Sequence, residues 1–242
     1  MKRIIKQGQS HTYTGWRDIM KGKENEDYRL MPSDIREDLL STLISEQGYL
    51  CGYTMRRVDI NTSHVEHVKP ESVCRAEQPP RGLDLDYDNM IACYPKKSKK
   101  NNTEFTYGAF YKDDWWIDNG KDFISPLSKA CEESFDFNLK GEISGLNDKA
   151  KKTVDVLKLD HNSLTDDRKR AIEIFIYDRR GDEPISKNKA ERILNEIYDL
   201  NATGEYIEFC VAIKCAIDKY LKQLEKIAQI KKFAKQKALK KK

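Results

Sequence analysis

A carboxylate and a histidine stand next to each other at Glu66 and His67, and a proline follows at Pro70. An imidazole titrates close to neutral pH, so it can take a proton from water as a general base. A carboxylate oxygen is a hard ligand of the kind that divalent cations prefer. Asn89, further along the chain, carries an amide that both donates and accepts hydrogen bonds. Together these residue types are typical of metal-assisted hydrolysis.

The local structure around Glu66 and His67 decides whether both side chains can act on one substrate. If both lie on a strand, they point to opposite faces. A bend, or the end of the strand before Pro70, would let them converge. His64 would share the face of Glu66, and it is a hydrogen-bond partner, a metal ligand or a partly buried structural histidine. The remaining histidines, His11 and His161, are isolated and receive no role.

The segment from Cys51 to Cys93 resembles the HNH, or ββα-metal, nuclease motif. The resemblance rests on Cys51-Gly-Tyr, Glu66-His-Val-Lys-Pro70 and Leu85-Asp-Tyr-Asp-Asn89-Met-Ile-Ala-Cys93. It implies that His67 is the general base of phosphodiester hydrolysis and that Glu66 is a ligand of a divalent ion, Mg²⁺ or Mn²⁺. It also implies that Asn89 holds the loop of the motif in shape and helps to orient the catalytic histidine.

Further motifs narrow the resemblance to the PtuB family, over about residues 45 to 180. They are Cys51-Gly-Tyr-Thr, Ser63-His-Val-Glu-His, Tyr107-Gly-Ala, Ser125-Pro-Leu-Ser, Cys131-Glu and Leu157-Lys-Leu-Asp with Arg168-Lys-Arg. PtuB proteins are HNH effectors of Septu-type and retron-linked bacterial anti-phage systems. The resemblance implies a PtuA-type ABC-like ATPase that holds the nuclease in check, and in retron versions a reverse transcriptase with its small DNA. The chain has no Gly-x-x-x-x-Gly-Lys-Ser/Thr motif, so we do not expect it to bind ATP itself.

The chain departs from the HNH pattern at two places. Many HNH proteins hold a structural zinc with two Cys-x-x-Cys pairs, but here Thr54 follows Cys51 and Lys96 follows Cys93 at the partner positions. Two thiols do not complete a four-ligand zinc site. We therefore expect no structural zinc and expect both cysteines to pack as small buried residues.

The third metal-side residue of the motif is the second departure. The family's closing helix should begin near Tyr107, but no His or Asn stands at the matching position. Lys112, Asp113 and Asp114 are the nearby candidates for a phosphate or metal contact.

Three functions remain open at this point. The first is a metal-dependent nuclease in a defence complex, acting on DNA or on tRNA. The second is a non-catalytic nucleic-acid-binding or assembly subunit on a degenerate HNH scaffold. The third is the toxin half of a two-component pair without an ATPase. Trp115 and Trp116 could stack on unpaired bases or belong to the core.

Charge is distributed unevenly along the 242 residues, whose net charge is +4. Residues 219 to 242 contain ten Lys and one Glu, a charge of +9, which leaves −5 for residues 1 to 218. Smaller basic clusters lie at Lys2, Arg3 and Lys6 and at Lys96, Lys97, Lys99 and Lys100. Such clusters suit phosphate backbones, although the tail could equally be a solubilising segment.

No window has the apolar length of a signal peptide or a membrane span, so a cytoplasmic protein with no membrane association is expected. The irregular spacing of the six cysteines favours reduced thiols over a disulfide framework.

The predicted fold class is α+β, with an HNH core followed by a helical region that ends in a long helix and a basic tail. We divide the chain into an N-terminal segment and helix at 1–44, a nuclease domain at 45–145 and a helical domain at 146–242. Residues 1–33 read as irregular, residues 49–53 as a strand, and residues 33–44 as a helix with Ser33 as N-cap. A short strand and a turn are expected within residues 123–126 and 135–141, and loops at 75–82 and 95–104.

The C-terminal pattern predicts helices from residue 147, over residues 164–180 and from residue 186. The last helix carries an apolar seam at alternating steps of four and three, which is typical of a coiled coil. Its members are Tyr206, Cys210, Ile213, Ile217, Tyr220, Leu224 and Ile227. The seam either packs on the protein's own core or serves as a docking face for another chain.

Overall fold

A computed structural model describes residues 1–23, 26–77, 82–96, 106–177 and 183–239. The helices are α1 His11–Met20, α2 Ser33–Glu46, α3 Glu71–Ala76, α4 Ala109–Lys112, α5 Asp148–Leu157, α6 Asn162–Ile176, α7 Lys187–Glu196 and α8 Cys210–Leu239. The strands are β1 His64–His67, β2 Met90–Cys93, β3 Phe135–Phe137 and β4 Ile143–Gly145. The fold is therefore α+β, as the sequence predicted, and it is mostly helical.

Two antiparallel strand pairs make up the sheets of the described residues. In the first, His64 pairs with Cys93 and His67 pairs with Met90, and helix α2 packs against both strands. In the second, Phe135 pairs with Gly145. All eight side chains of β1 and β2 are buried, so this strand pair lies inside the protein and has no exposed sheet face.

The N-terminal 33 residues are not irregular, because they contain helix α1. Ser10 caps this helix by accepting a hydrogen bond from the Tyr13 amide at 3.1 Å. Tyr13 is fully buried and donates its hydroxyl to the Leu85 carbonyl at 2.7 Å. The sequence prediction missed the helix because it packs through one buried side chain, Tyr13, and has no continuous apolar stripe.

Helix α2 is present, but its predicted N-cap is wrong. Ser33 is the first helical residue and Pro32 stands at the cap, without a side-chain hydrogen bond. Proline holds its φ near the value that the helix entrance needs, so it can open the helix in place of a serine. Ile35 is half-buried, and the buried residues of the helix are Leu39, Leu40, Leu43 and Ile44.

The strand predicted over residues 49–53 is also wrong. This segment is a tight turn held by one bridge between Leu50 and Arg57. Gly48 precedes it with a φ of +56°, and a Cβ there would lie 2.3 Å from a ring carbon of Tyr206. Because only glycine fits under that ring, the chain bends here instead of extending.

The helices predicted for the C-terminal third are present as α5 to α8, but α6 ends before Tyr177, which forms a bridge with Pro184, and α8 begins at Cys210 and does not include Tyr206. Asn147 caps α5 and Ser186 caps α7, each by accepting a backbone amide hydrogen. Helix α6 ends at Ile176, and residues 178–180 of the predicted helix lie outside the described residues. The strand predicted within residues 135–141 is also confirmed, as β3.

A single hydrophobic cluster joins all three predicted parts of the chain. It includes Met1 and Ile4 from the first part, Cys131 from the second, and Phe209 and Ile213 from the third. The Ile4 amide also donates to the Pro126 carbonyl at 2.8 Å. The three-part division of the chain stays a prediction.

Helix α8 has two different halves. Helix α8 packs against α6, α7 and β3, and Cys210, Ile213 and Ile217 of its proximal half, residues 210–221, are fully buried. The distal half, residues 222–239, is mostly exposed, with Ile230 exposed by 67% and Phe233 by 70%. Packing on the protein's own core is therefore confirmed for the proximal half, and docking of another chain on the distal half stays a prediction.

The structure describes the two smaller basic clusters to different extents. Lys2 pairs with Glu132 at 2.6 Å and Lys6 with Glu46 at 3.1 Å, so these cations are neutralised within the protein. Lys97, Lys99 and Lys100 lie outside the described residues, as do 78–81 of the predicted loop at 75–82. None of the helices in the described ranges combines the length and apolar character that a bilayer crossing requires.

Candidate active site

Glu66 and His67 line one cavity of about 400 Å³ despite being neighbours on a strand. They can converge because β1 ends at His67, where the regular alternation of side chains stops. Pro70 then opens helix α3 and lines the same cavity. The other residues of the lining are Glu71, Ala109, Phe110, Asp113 and Asp114.

The lining of this cavity is acidic. Glu66, Glu71, Asp113 and Asp114 contribute carboxylates, and no Lys or Arg lies among the described lining residues. Asp113 follows helix α4 with a φ of 44°, a backbone conformation that costs a non-glycine residue free energy. Such a cavity attracts a cation and disfavours a phosphodiester unless a cation accompanies it.

Lys112 lies beneath the cavity and holds Glu66. Its side chain is fully buried, and its Nζ donates to Oε1 of Glu66 at 3.2 Å and to the His67 carbonyl at 3.3 Å. Pairing and hydrogen bonding offset part of the desolvation cost of burying these two charges. The sequence singled out Lys112 for a phosphate or metal contact, and the structure places its ammonium against the carboxylate instead.

The imidazole of His67 is buried and fixed on two sides. Its Nε2 lies 2.8 Å from the Asp84 carbonyl, which can only accept a hydrogen bond. Nε2 therefore carries the proton in the neutral ring, and the basic lone pair belongs to Nδ1. The Tyr28 ring meets the imidazole edge-on, with ring centroids 4.7 Å apart.

His64 lies two residues before Glu66 on strand β1, on the same face of the strand. Its Nδ1 faces the Pro95 carbonyl at 2.5 Å, and its Nε2 lies 3.6 Å from Oε2 of Glu66. Among the described residues, Nε2 of His64 is buried without a hydrogen-bond partner. The Phe110 ring of helix α4 packs edge-on against this imidazole, with centroids 5.6 Å apart.

Asn89 ties together the loop that follows β1. Its Oδ1 accepts from the Lys69 amide at 2.8 Å, and its Nδ2 donates to the Lys69 carbonyl at 3.0 Å. The Asn89 backbone carbonyl also accepts from the Val68 amide at 2.8 Å. Asn89 does not line the cavity, but these bonds fix the chain directly after His67.

A complete protein metal site is not found in the part of the chain that the structure describes, where no three His, Cys, Asp or Glu side chains are suitably grouped. The carboxylates of the cavity still fit a divalent ion. Mg²⁺ and Mn²⁺ are commonly held by one or two carboxylates, with water and substrate oxygens completing the coordination.

Cys51 and Cys93 are both buried, as predicted, and they lie against each other. Burial alone would raise the pKa of the Cys51 thiol, but hydrogen bonds from the Cys93 thiol, the Thr54 hydroxyl and the Tyr94 amide lower this pKa to about 6. The two cysteines are therefore a hydrogen-bonded pair and not simple apolar filling.

Trp115 and Trp116 are half-buried and pack against the core, with Trp115 tilted against Phe123 at a centroid distance of 6.0 Å. Tyr111 is exposed by 46%. This arrangement favours the structural reading of the tryptophan pair.

Sequence reasoning missed the groups that orient the two histidines. They are the Asp84 and Pro95 carbonyls and the Tyr28 ring. A backbone carbonyl leaves no signal in residue type, so no sequence pattern could have assigned these two partners. Glu71 was also missed, although it follows Pro70 directly and lines the cavity.

Comparison with known proteins finds a distant relative among putative HNH endonucleases. No family model matches the chain. A similar protein is the "Retron Vc95 putative HNH endonuclease" of Vibrio cholerae serotype O1 biovar El Tor, which is 32% identical over 150 residues. The match covers 59% of this chain and 66% of that protein, slightly less than two thirds of its length. The chain is thus a distant homologue of a protein assigned to the HNH endonucleases of a retron system.

Proposed function

We propose that this protein is a metal-dependent HNH nuclease that hydrolyses phosphodiester bonds in nucleic acid. The observation that supports it most directly is the convergence of Glu66 and His67 on one acidic cavity, with Nε2 of His67 held by a backbone carbonyl. A buried carboxylate beside an oriented neutral imidazole is the arrangement that hydrolysis by an activated water requires.

His67 is the general base in this proposal. The Asp84 carbonyl holds the proton on Nε2, so Nδ1 takes the proton of the water that attacks phosphorus. The edge-on Tyr28 ring keeps the imidazole from rotating. Asn89 supports the base indirectly, because it fixes Lys69 and thereby the chain that follows the histidine.

Glu66 is the ligand for the divalent ion, Mg²⁺ or Mn²⁺, and Asp113 stands at the same cavity. When bound, such an ion neutralises charge on the phosphate and on the departing oxygen. Lys112 positions Glu66 through its bond to Oε1.

The partners follow from the resemblance to PtuB and from the retron name of the relative. We propose that the chain acts in a bacterial anti-phage complex with a PtuA-type ATPase, and in a retron setting with a reverse transcriptase and its small DNA. The distal half of α8 is the natural docking element, because it is basic, exposed and carries apolar side chains.

The decisive experiment compares His67→Ala with the wild type on plasmid DNA and on total tRNA, with Mg²⁺ or Mn²⁺ and with and without the ATPase. Loss of the base should reduce cleavage by roughly 10²- to 10⁴-fold while leaving folding intact. His11→Ala is the matched control, since His11 is exposed and lies outside the cavity.

A second candidate is the non-catalytic binding or assembly subunit. It is favoured by the absence of a three-ligand metal group among the described residues. It would replace the nuclease proposal if the wild type cleaved neither substrate with the ATPase present, or if His67→Ala cleaved as fast as the wild type.

A further inference from the structure

Nε2 of His64 has no role in the proposed nuclease mechanism, but its surroundings need an explanation. Nδ1 of the same ring faces the Pro95 carbonyl at 2.5 Å, so Nδ1 carries the proton of the neutral imidazole. Nε2 is then a lone pair, buried and without a hydrogen-bond partner among the described residues. Buried polar atoms are normally satisfied, so an unsatisfied one indicates a missing partner such as a water or an ion.

The group that faces this lone pair is a carboxylate oxygen. Oε2 of Glu66 lies 3.6 Å from Nε2, a distance too long for a hydrogen bond. Two electron-pair donors facing each other in a buried place repel, unless a cation stands between them. Lys112 does not fill that role, because its ammonium is bonded to the other oxygen, Oε1.

The distance itself fits two ligands of one ion. With metal–ligand bonds of about 2.1 Å, neighbouring ligand atoms are about 3.0 Å apart in an octahedral site and about 3.4 Å apart in a tetrahedral one. The 3.6 Å between Nε2 and Oε2 needs a shift of only a few tenths of an ångström.

The surroundings of His64 also match those of a ligating histidine. Metal-bound histidines usually donate their second ring N–H to a backbone carbonyl or carboxylate, which fixes the tautomer and the ring orientation. The Pro95 carbonyl does this for His64, and the Phe110 ring packs against its edge.

We propose that His64 is the second protein ligand of the divalent ion, so that Nε2 of His64 and Oε2 of Glu66 hold it together. This inference rests on the proposed nuclease function for its purpose, but its test does not need catalysis.

A mixed nitrogen and oxygen pair has a chemical consequence for the choice of ion. Imidazole nitrogen favours first-row transition metals, whereas Mg²⁺ prefers oxygen ligands throughout. The site should therefore bind Ni²⁺ and Mn²⁺ through both residues, with Ni²⁺ the tighter, and bind Mg²⁺ mainly through Glu66.

The test is calorimetric titration of untagged, metal-free protein with Ni²⁺, Mn²⁺ and Mg²⁺ in the absence of nucleic acid. The wild type should bind about one Ni²⁺ per chain. His64→Ala should weaken Ni²⁺ binding at least tenfold and change Mg²⁺ binding less than twofold. His11→Ala should leave both unchanged, because its imidazole is exposed and far along the chain from the site.

His64→Gln is the second variant in case truncation disturbs the core, and circular dichroism with thermal unfolding verifies that each variant is folded. The proposal is overturned if folded His64→Ala or His64→Gln binds Ni²⁺ like the wild type. It is also overturned if NMR of the metal-free and Ni²⁺-loaded protein shows His64 as an imidazolium in both.

The two proposals fail separately. Nickel binding that depends on His64, without cleavage of DNA or tRNA, would leave the ligand assignment standing and remove the nuclease function. Cleavage that depends on His67, together with nickel binding that does not depend on His64, would support the nuclease function and overturn the ligand assignment.

Discussion

The two halves of helix α8 carry the same kind of apolar spacing and meet opposite environments. In the proximal half, Ile213 and Ile217 are fully buried against neighbouring elements. In the distal half, Ile227 and Ile230 are exposed by 49% and 67%. Spacing at steps of three and four thus predicts a helix and its face, but not which surface covers that face.

The charges of the two halves differ as clearly as their burial. Lys214 pairs with Asp218 at 2.8 Å, and Lys219 pairs with Asp136 of β3 at 2.6 Å. The distal half carries six lysines in its described residues against one acid, Glu225. An exposed helix with this charge is suited to a polyanion or an acidic protein surface, whereas the proximal half is part of the core.

The largest expected effect is a difference in the free energy of unfolding between matched substitutions in the two halves. Ile217→Ala should lower the free energy of unfolding by about 2–5 kcal/mol, because it leaves a cavity at a fully buried position. Ile230→Ala, the same chemical change at a position exposed by 67%, should alter it by less than about 0.5 kcal/mol.

Urea denaturation followed by circular dichroism measures both values. Equal losses in the two variants would mean that the distal half packs against something in solution, for example a second copy of the chain, and that the contrast between the halves is not a property of the free protein.

The next effect concerns nucleic-acid binding. Removing residues 222–242 should weaken binding by about tenfold or more, a loss of about 1.4 kcal/mol per factor of ten. The salt dependence of binding to duplex DNA should fall by about 0.9 in log–log slope for each lost phosphate contact.

Fluorescence anisotropy over a range of salt concentrations measures the slope, and the free energy of unfolding should stay unchanged. An unaltered slope would show that the distal half only keeps the protein soluble.

The smallest expected effect lies at the border between the halves. Lys219→Met removes the contacts to Asp136 and to the Phe137 carbonyl, and it should cost about 0.2–1 kcal/mol, because the pair is partly open to solvent. Lys222→Met, three residues further along on the exposed side, should cost nothing measurable. Thermal unfolding of the two variants compares them, and a larger loss for Lys222→Met would move the border into the distal half.

Much of the helical architecture could be predicted from the sequence because it depends on local signals. Asn147 and Ser186 cap their helices as residue type predicts, and the apolar positions of α5 and α6 recur at helical spacing. The errors came where distant residues override local preference. Helix α1 depends on Tyr13 reaching Leu85, and the turn at Gly48 depends on the Tyr206 ring.

For the candidate site, the sequence supplied the residues and their order. It named Glu66, His67, Asn89, His64, Lys112 and Asp113, and the structure gathers most of them around one cavity and the loop behind it. It misplaced the contact of Lys112, since burial of that ammonium against Glu66 is decided by the packing of helix α4.

The sequence by itself determined which chemical groups are available: a carboxylate next to an imidazole, an amide to brace the loop, and a basic helix at the C-terminus. Only the tertiary structure decided which nitrogen of each histidine is basic. The Asp84 carbonyl fixes His67 and the Pro95 carbonyl fixes His64, and both lie far along the chain from the rings that they hold. Carbonyl groups are identical at every residue, so their positions come from the path of the folded backbone and not from residue type.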